Sequence, residues 1–259
     1  MRALIDFDVA PVFAVPTATG VREGALLDGP QGWGEFSPPP GADPASAARW
    51  LTAAMEPSTV GWPDAARGRV PVSDAGGRGT VDVRDVDDTV ARIAALGEPT
   101  ELVELVGGTA EDAAAIRRRV DVPIAVDAQL PGLDGECADV AVLRCAPLGG
   151  VRRALRRAER LDMPCLVAFT GTTSIGLAAD VALAAVLPDL PFALGPVPEW
   201  LGEGDVVSPA RTLLPAEGLL PAAPMPAAPD PARLARVTVT DSATVTRWRT
   251  LLHETAALL

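Results

Sequence analysis

Residues 140–169 read VAVLRCAPLGGVRRALRRAERLDMPCLVAF. The first residues, Val140 to Leu143, are apolar without alternation and the run ends at Gly149 and Gly150, so it reads as a strand buried on both faces. The Arg-rich stretch over 151–161 then predicts a helix, and PCLVAF (164–169) predicts the next strand. Strand, helix and strand at this spacing make one unit of a parallel α/β sheet. Arg144 is out of place in such a run. An unpartnered buried charge costs several kcal/mol, so its guanidinium must leave the strand's end or face fixed carboxylates.

The same alternation extends in both directions, from about residue 70 to residue 195. Candidate strands are VPV (70–72), TVDVRD (80–85), ELVELV (101–106), VPIAVDA (122–128), VAVLRCA (140–146), PCLVAF (164–169) and PFALG (191–195). Helical patterns lie between them at 85–96, 109–120, 151–161 and 174–187. Thr109, followed by Glu111 and Asp112, has the cap and acidic first turn of a helix start. Strands so spaced favour a (β/α) barrel over an open sheet. Residues 1–69 differ: FAVP, EGALLDG and GWGEFSP predict a meander, and 43–55 an amphipathic helix, together a small α+β lobe. Beyond residue 212 the chain is Pro-rich through 241, an extended surface wrap, before a last helix over 242–258.

Composition narrows the function. A formal charge of −12 over 259 residues leaves no basic footprint for nucleic acid or an anionic membrane. Cys137, Cys145 and Cys165 are odd in number and show no CxxC spacing, which predicts reduced structural thiols, without disulfide or zinc, in a cytoplasmic chain. No segment reaches the roughly 18 apolar residues of a membrane span, and the N-terminus has acids within its apolar stretch. All 22 basic residues are Arg; lysine, asparagine and tyrosine are absent, and the single histidine is His253. A mechanism that needs a Lys or Tyr proton carrier is therefore excluded.

GPQGWGEFSP (29–38), RRRVDVPIAVDA (117–128), VAVLRCAPLGGV (140–151), SIGLAADVALAAVLPDLP (174–191) and PDPARLARV (229–237) together resemble the o-succinylbenzoate synthases of the enolase superfamily. The resemblance implies an α/β fold: an enolase-superfamily barrel, here eroded to about seven strands over 70–212, beneath an α+β capping lobe of 1–69 and the helix 242–258. It also implies three acidic Mg²⁺ ligands at strand ends, flanked by two lysines, with the metal stabilising an enediolate and one lysine moving the proton. Carried onto this chain, the ligands are Asp82, Glu104 and Asp127, a hard-oxygen set suited to Mg²⁺. Glu35, Phe169 and Thr170 fall at substrate-contacting positions.

The departures from the family are concentrated near that site. Arg144 stands where an AVLK-type strand carries a lysine, and the K-x-K strand is missing, because RVPVSDAGGRG (69–79) passes directly to TVDV. The closing loop is shortened in VPTATGVREG (15–24), and the helix after Asp127 is reduced to LPGLDGECAD (130–139). Arginine can serve as a fixed cation but not as a base, since it stays protonated. His253, alone on an apolar C-terminal helix, reads as structural.

Three functions follow in order of preference. The first is a lyase or cyclase repurposed to a lysine-independent reaction of a bulkier apolar small molecule in specialised metabolism, possible even as a pericyclic cyclisation. In it Arg144, paired with Glu104 or Asp127, polarises a carbonyl and replaces the metal, so no cofactor is needed. The second is Mg²⁺-dependent dehydration of a cyclohexadiene carboxylate to o-succinylbenzoate in menaquinone biosynthesis, with Asp82 or Asp127 doing a lysine's work. The third is a noncatalytic homologue.

Overall fold

The computed structural model describes residues 4–17, 20–73, 76–97 and 99–259. Part of the expected lid shortening (18 and 19) and part of the expected strand deletion (74 and 75) lie outside these residues.

The N-terminal lobe is an antiparallel meander, β1 (Val12–Thr17), β2 (Gly20–Gly29) and β3 (Gly32–Phe36), in that order. Alternation sends Val12, Ala25, Leu27 and Phe36 to one face, where α1 (Pro44–Thr59) and the C-terminal helix α9 (Ser242–Ala257) cover them through Leu51, Met55, Trp248 and Leu252. The opposite face, Phe13, Val15 and Leu26, packs on Ile175, Val206 and Val207. Asp43 caps α1, accepting from Ser46 N at 2.7 Å. Gly34 permits the close approach of β3 to α1: a Cβ there would lie 1.8 Å from the Ala54 carbonyl oxygen.

The second body is a shortened, barrel-like parallel α/β domain. It comprises β4 (Arg69–Pro71), β5 (Arg78–Asp82), α2 (Val86–Ala94), β6 (Leu102–Val106), α3 (Ala110–Arg117), β7 (Ile124–Asp127) and β8 (Val140–Leu143). After these come α4 (Cys145–Leu148), α5 (Val151–Leu161), β9 (Cys165–Val167) and α6 (Ser174–Val186). Five strands, β5-β6-β7-β8-β9, form one continuous parallel ladder. Val103, Leu105, Ile124, Val126, Leu143 and Val167 face the helices, while Leu102, Ala125, Val140, Val142 and Leu166 fill the inside with Phe192. The strands therefore read as continuous apolar runs, because both faces are buried.

The expected ring of seven is looser than its sequence pattern. Segment 191–195 contributes a single parallel bridge, Leu194 to Val72, and β4 otherwise pairs antiparallel with β10 (Leu219–Pro221). Pro71 and Pro191 have no N–H to extend a ladder. The Pro-rich region thus does more than wrap: besides β10 it forms α8 (Pro231–Val237), capped by Asp230. A short turn, α7 (Leu201–Gly204), precedes it. Among the described residues no helix is long and apolar enough to cross a membrane.

Candidate active site at the strand ends

The inner face of the sheet decides where the charged residues meet. Counting by twos from the apolar inner layer, Leu102 leads to Glu104, Ala125 to Asp127, and Val142 to Arg144, all toward the C-terminal strand ends. The ladder stops at Leu143, yet Arg144 keeps an extended backbone (φ −120°, ψ 115°) as the cap of α4, so the alternation runs through it. Its guanidinium donates from Nη1 to Asp127 Oδ2 at 2.7 Å and from Nη2 to Glu104 Oε1. The Arg144 side chain remains 26% exposed, so part of its five-donor fork still faces the opening.

Burial works to lower the Arg144 pKa, and Glu104 and then Asp127 outweigh it, holding the guanidinium above its usual value. Arg144 is a permanent cation here. Asp127 is fixed in turn: its Oδ1 accepts from Gln129 N at 2.7 Å.

These contacts test the expected metal set, and the residues do not fit it. Glu104 and Asp127 spend oxygens on a guanidinium already between them, while the exposed Asp82, on the same inner face one register step beyond Glu104, stands apart. Among the described residues no three His, Cys, Asp or Glu side chains converge as a metal site. In this structure Glu104 and Asp127 form a carboxylate pair clamped on Arg144, with Asp82 outside it.

The three residues expected at substrate-contacting positions have the following surroundings. Glu35 is a fastener between lobe and barrel: its carboxylate accepts from Thr172 N (2.7 Å), Thr173 N (2.8 Å), Thr173 Oγ1 (2.6 Å) and Ser37 Oγ (2.6 Å). Thr170 turns its N–H and hydroxyl to the buried Asp180, at 2.7 and 2.9 Å. Phe169 packs with the helix-side core, whereas its neighbour Ala168 joins the inner cluster. The lobe–barrel space beside Glu35 and Thr170 holds only about 20 Å³, room for one water and no substrate.

Arg78 was not singled out by sequence, although R-x-T-x-D on β5 puts Arg78, Thr80 and Asp82 on the face of Leu102 and Glu104. Its Nη2 donates to the Ala193 carbonyl at 2.5 Å. Burial lowers its pKa and the field of Glu104 opposes that, so Arg78 is a second cation within reach of Glu104. The contact spans from β5 to the 191–195 segment. His253 lies elsewhere, on the lobe, with Nε2 2.9 Å from Asp8 Oδ1 and its ring edge-on to Phe7. The three cysteines are free and buried, and burial raises the Cys165 thiol to about 11, so none is a reactive nucleophile.

Comparison with known proteins places this geometry. The chain is 37% identical over 273 aligned positions to the o-succinylbenzoate synthase of Thermobifida fusca, covering 81% of this chain and 86% of that protein. It belongs to the o-succinylbenzoate synthase family of the enolase superfamily. The Mycolicibacterium smegmatis o-succinylbenzoate synthase is 35% identical, with 83% of this chain and 84% of that one covered. Residues 18–58 match the family described as Enolase N-terminal domain-like. Among solved structures, a putative mandelate racemase/muconate lactonizing enzyme from Labrenzia alexandrii aligns at TM-score 0.66 and 11% identity, over 92% of this chain and 98% of that one. The 2-chloromuconate cycloisomerase of Rhodococcus opacus aligns at TM-score 0.58 and 16% identity, over 89% and 98%. Both establish the capped barrel-like fold.

Proposed function

We propose that this family member is a lyase or cyclase whose reaction uses neither a lysine nor a divalent metal, and that Arg144 is its electrostatic centre. The observation that supports this reading is the clamp itself: Arg144 held by Glu104 and Asp127 at the strand ends, in a chain that contains no lysine. Two carboxylates fix the guanidinium plane, so its remaining N–H groups are aimed before a substrate arrives. Such prearranged donors stabilise charge that develops on a carbonyl or carboxylate oxygen.

Suitable chemistry needs no external base. In an intramolecular cyclisation of a conjugated acid or ketone, π electrons form a new σ bond within one molecule, every atom is retained and no proton has to leave. Holding the reactive conformer removes the entropy of freezing the substrate's internal rotations from such a barrier. Arg144 polarises the substrate oxygen, Glu104 and Asp127 keep it oriented, and the open β5 side, where Thr80, Asp82 and Val106 are exposed, admits a bulkier apolar small molecule.

The names of the relatives support a second reading, dehydration to o-succinylbenzoate. One experiment separates the two. A thermal-shift screen of conjugated mono- and dicarboxylates is run on wild type and Arg144→Met, with and without EDTA, beside a turnover assay on the relatives' cyclohexadiene substrate. Stabilisation lost in the variant and indifferent to EDTA supports the proposal. Mg²⁺-dependent formation of o-succinylbenzoate overturns it in favour of the second reading.

A further inference from the structure

The charge of −12 conceals a local reversal. On α5, Arg153, Arg156, Arg157 and Arg160 recur at helical spacing on one stripe, and with Arg49 of α1 they line an open groove of about 620 Å³. The opposite wall is Ala128 to Gly132, the loop directly after Asp127. Among the described residues no Asp or Glu lines the groove. Among the described residues Arg49, Arg153, Arg156 and Arg160 have no ion pair, whereas Arg152, one residue along the helix, is neutralised by Glu56. Arg157 is positioned by its own bond, Nε to the Ala128 carbonyl at 2.7 Å, which ties the stripe to the loop wall.

Like charges gathered without counter-ions repel, and a surface with carboxylates in excess offers ample opportunity to pair them. Their convergence on a concavity, rather than dispersal over a flat face, fits a small ligand: pockets for small molecules run to about 300–1,000 Å³. Guanidinium forks match phosphate oxygens two at a time, and several forks around one cleft favour a ligand with several phosphates or phosphate charges close together.

We propose that this groove is a binding site for a small phosphorylated polyanion, of the di- or triphosphate class, separate from the Arg144 clamp and independent of the reaction proposed for it. The loop wall adjoins Asp127 through the Gln129 N–H, so the site lies beside the mouth without sharing its charged residues.

Isothermal titration with inorganic triphosphate, at fixed near-physiological ionic strength, tests it on the full chain. Wild type is expected to bind one equivalent saturably, and sulfate at the same ionic strength to compete weakly. Arg156→Glu should weaken binding at least about tenfold, the equivalent of about 1.4 kcal/mol, and Arg153→Ala/Arg160→Ala by a comparable factor. Arg236→Ala, on α8 outside the groove lining, should bind as wild type does. Circular dichroism confirms that each variant is folded; if Arg156→Glu is not, Arg156→Gln carries the comparison. Absence of saturable binding, equal affinity in folded groove variants, or an equal loss in Arg236→Ala would each overturn the proposal.

Discussion

Replacing Arg144 with methionine removes the cation from between two carboxylates while keeping an unbranched apolar stem in place of the arginine's. At an effective dielectric near 20, unit charges ~4 Å apart attract by about 4 kcal/mol, and Arg144 makes two such pairs. Much of that is offset by the desolvation of all three groups, and by solvent screening, since the side chains are 26% (Arg144), 18% (Glu104) and 35% (Asp127) exposed. What remains after truncation is mainly the repulsion and poor solvation of the two orphaned acids. The expected loss is about 2–3 kcal/mol, below the ~3–5 kcal/mol of a fully buried pair. For a chain of this size that lowers Tm by roughly 4–12 °C. Differential scanning fluorimetry and urea unfolding read it. A triple variant, Arg144→Met with Glu104→Gln and Asp127→Asn, should recover at least half of the loss, because the orphaned charges are gone. A single variant within about 1 °C of wild type, or a triple variant no more stable than the single, would mean that Arg144 does not hold the two acids.

Glu56→Ala should cost about 2–3 kcal/mol, since the buried carboxylate caps α5 through Val151 N at 2.6 Å and Arg152 N at 3.1 Å; chemical denaturation measures it, and Glu56→Gln should lose less. Asp180 is raised by burial from 3.8 to about 6, against the opposing bonds from Thr170, Gly171 and Cys145. The folded state therefore binds its proton more tightly than the unfolded one, so the Asp180 contribution is full below pH 3.8 and declines as pH rises through about 6. The stability difference between wild type and Asp180→Ala should fall over that window, as pH-dependent urea curves will report. Gly34→Ala should destabilise by at least about 2 kcal/mol, because its Cβ would meet the Ala54 carbonyl at 1.8 Å; a soluble variant with unchanged Tm would contradict the packing described for β3 on α1.

The strands of the central ladder were legible because burial on both faces leaves uninterrupted apolar runs, and the helices between them because Asp85 and Thr109 mark their starts with side-chain caps. The clamp was legible for a related reason: a guanidinium in so apolar a run requires carboxylates, and period two brings Glu104 and Asp127 to the same face. Pairing between distant segments was not. Nothing local in the Pro-rich region announces that Leu219–Pro221 will take β4 as its partner. Glu35 reaches donors 137 residues away, so its fastening role has no signature in its own neighbourhood. Phe169 and Arg78 could both have been placed by counting alternation along their own strands, from Leu166 and from Asp82: Phe169 falls on the helix side, Arg78 on the inner side.

We propose that the Arg144 guanidinium takes the place that a divalent ion would occupy between Glu104 and Asp127. Titration of the EDTA-treated protein with Mn²⁺, followed by electron paramagnetic resonance of the free ion, addresses it without any assumption about substrate. No saturable site is expected on wild type up to the millimolar range. A single site that is lost on Asp127→Asn and on Glu104→Gln, with both variants folded, would contradict it.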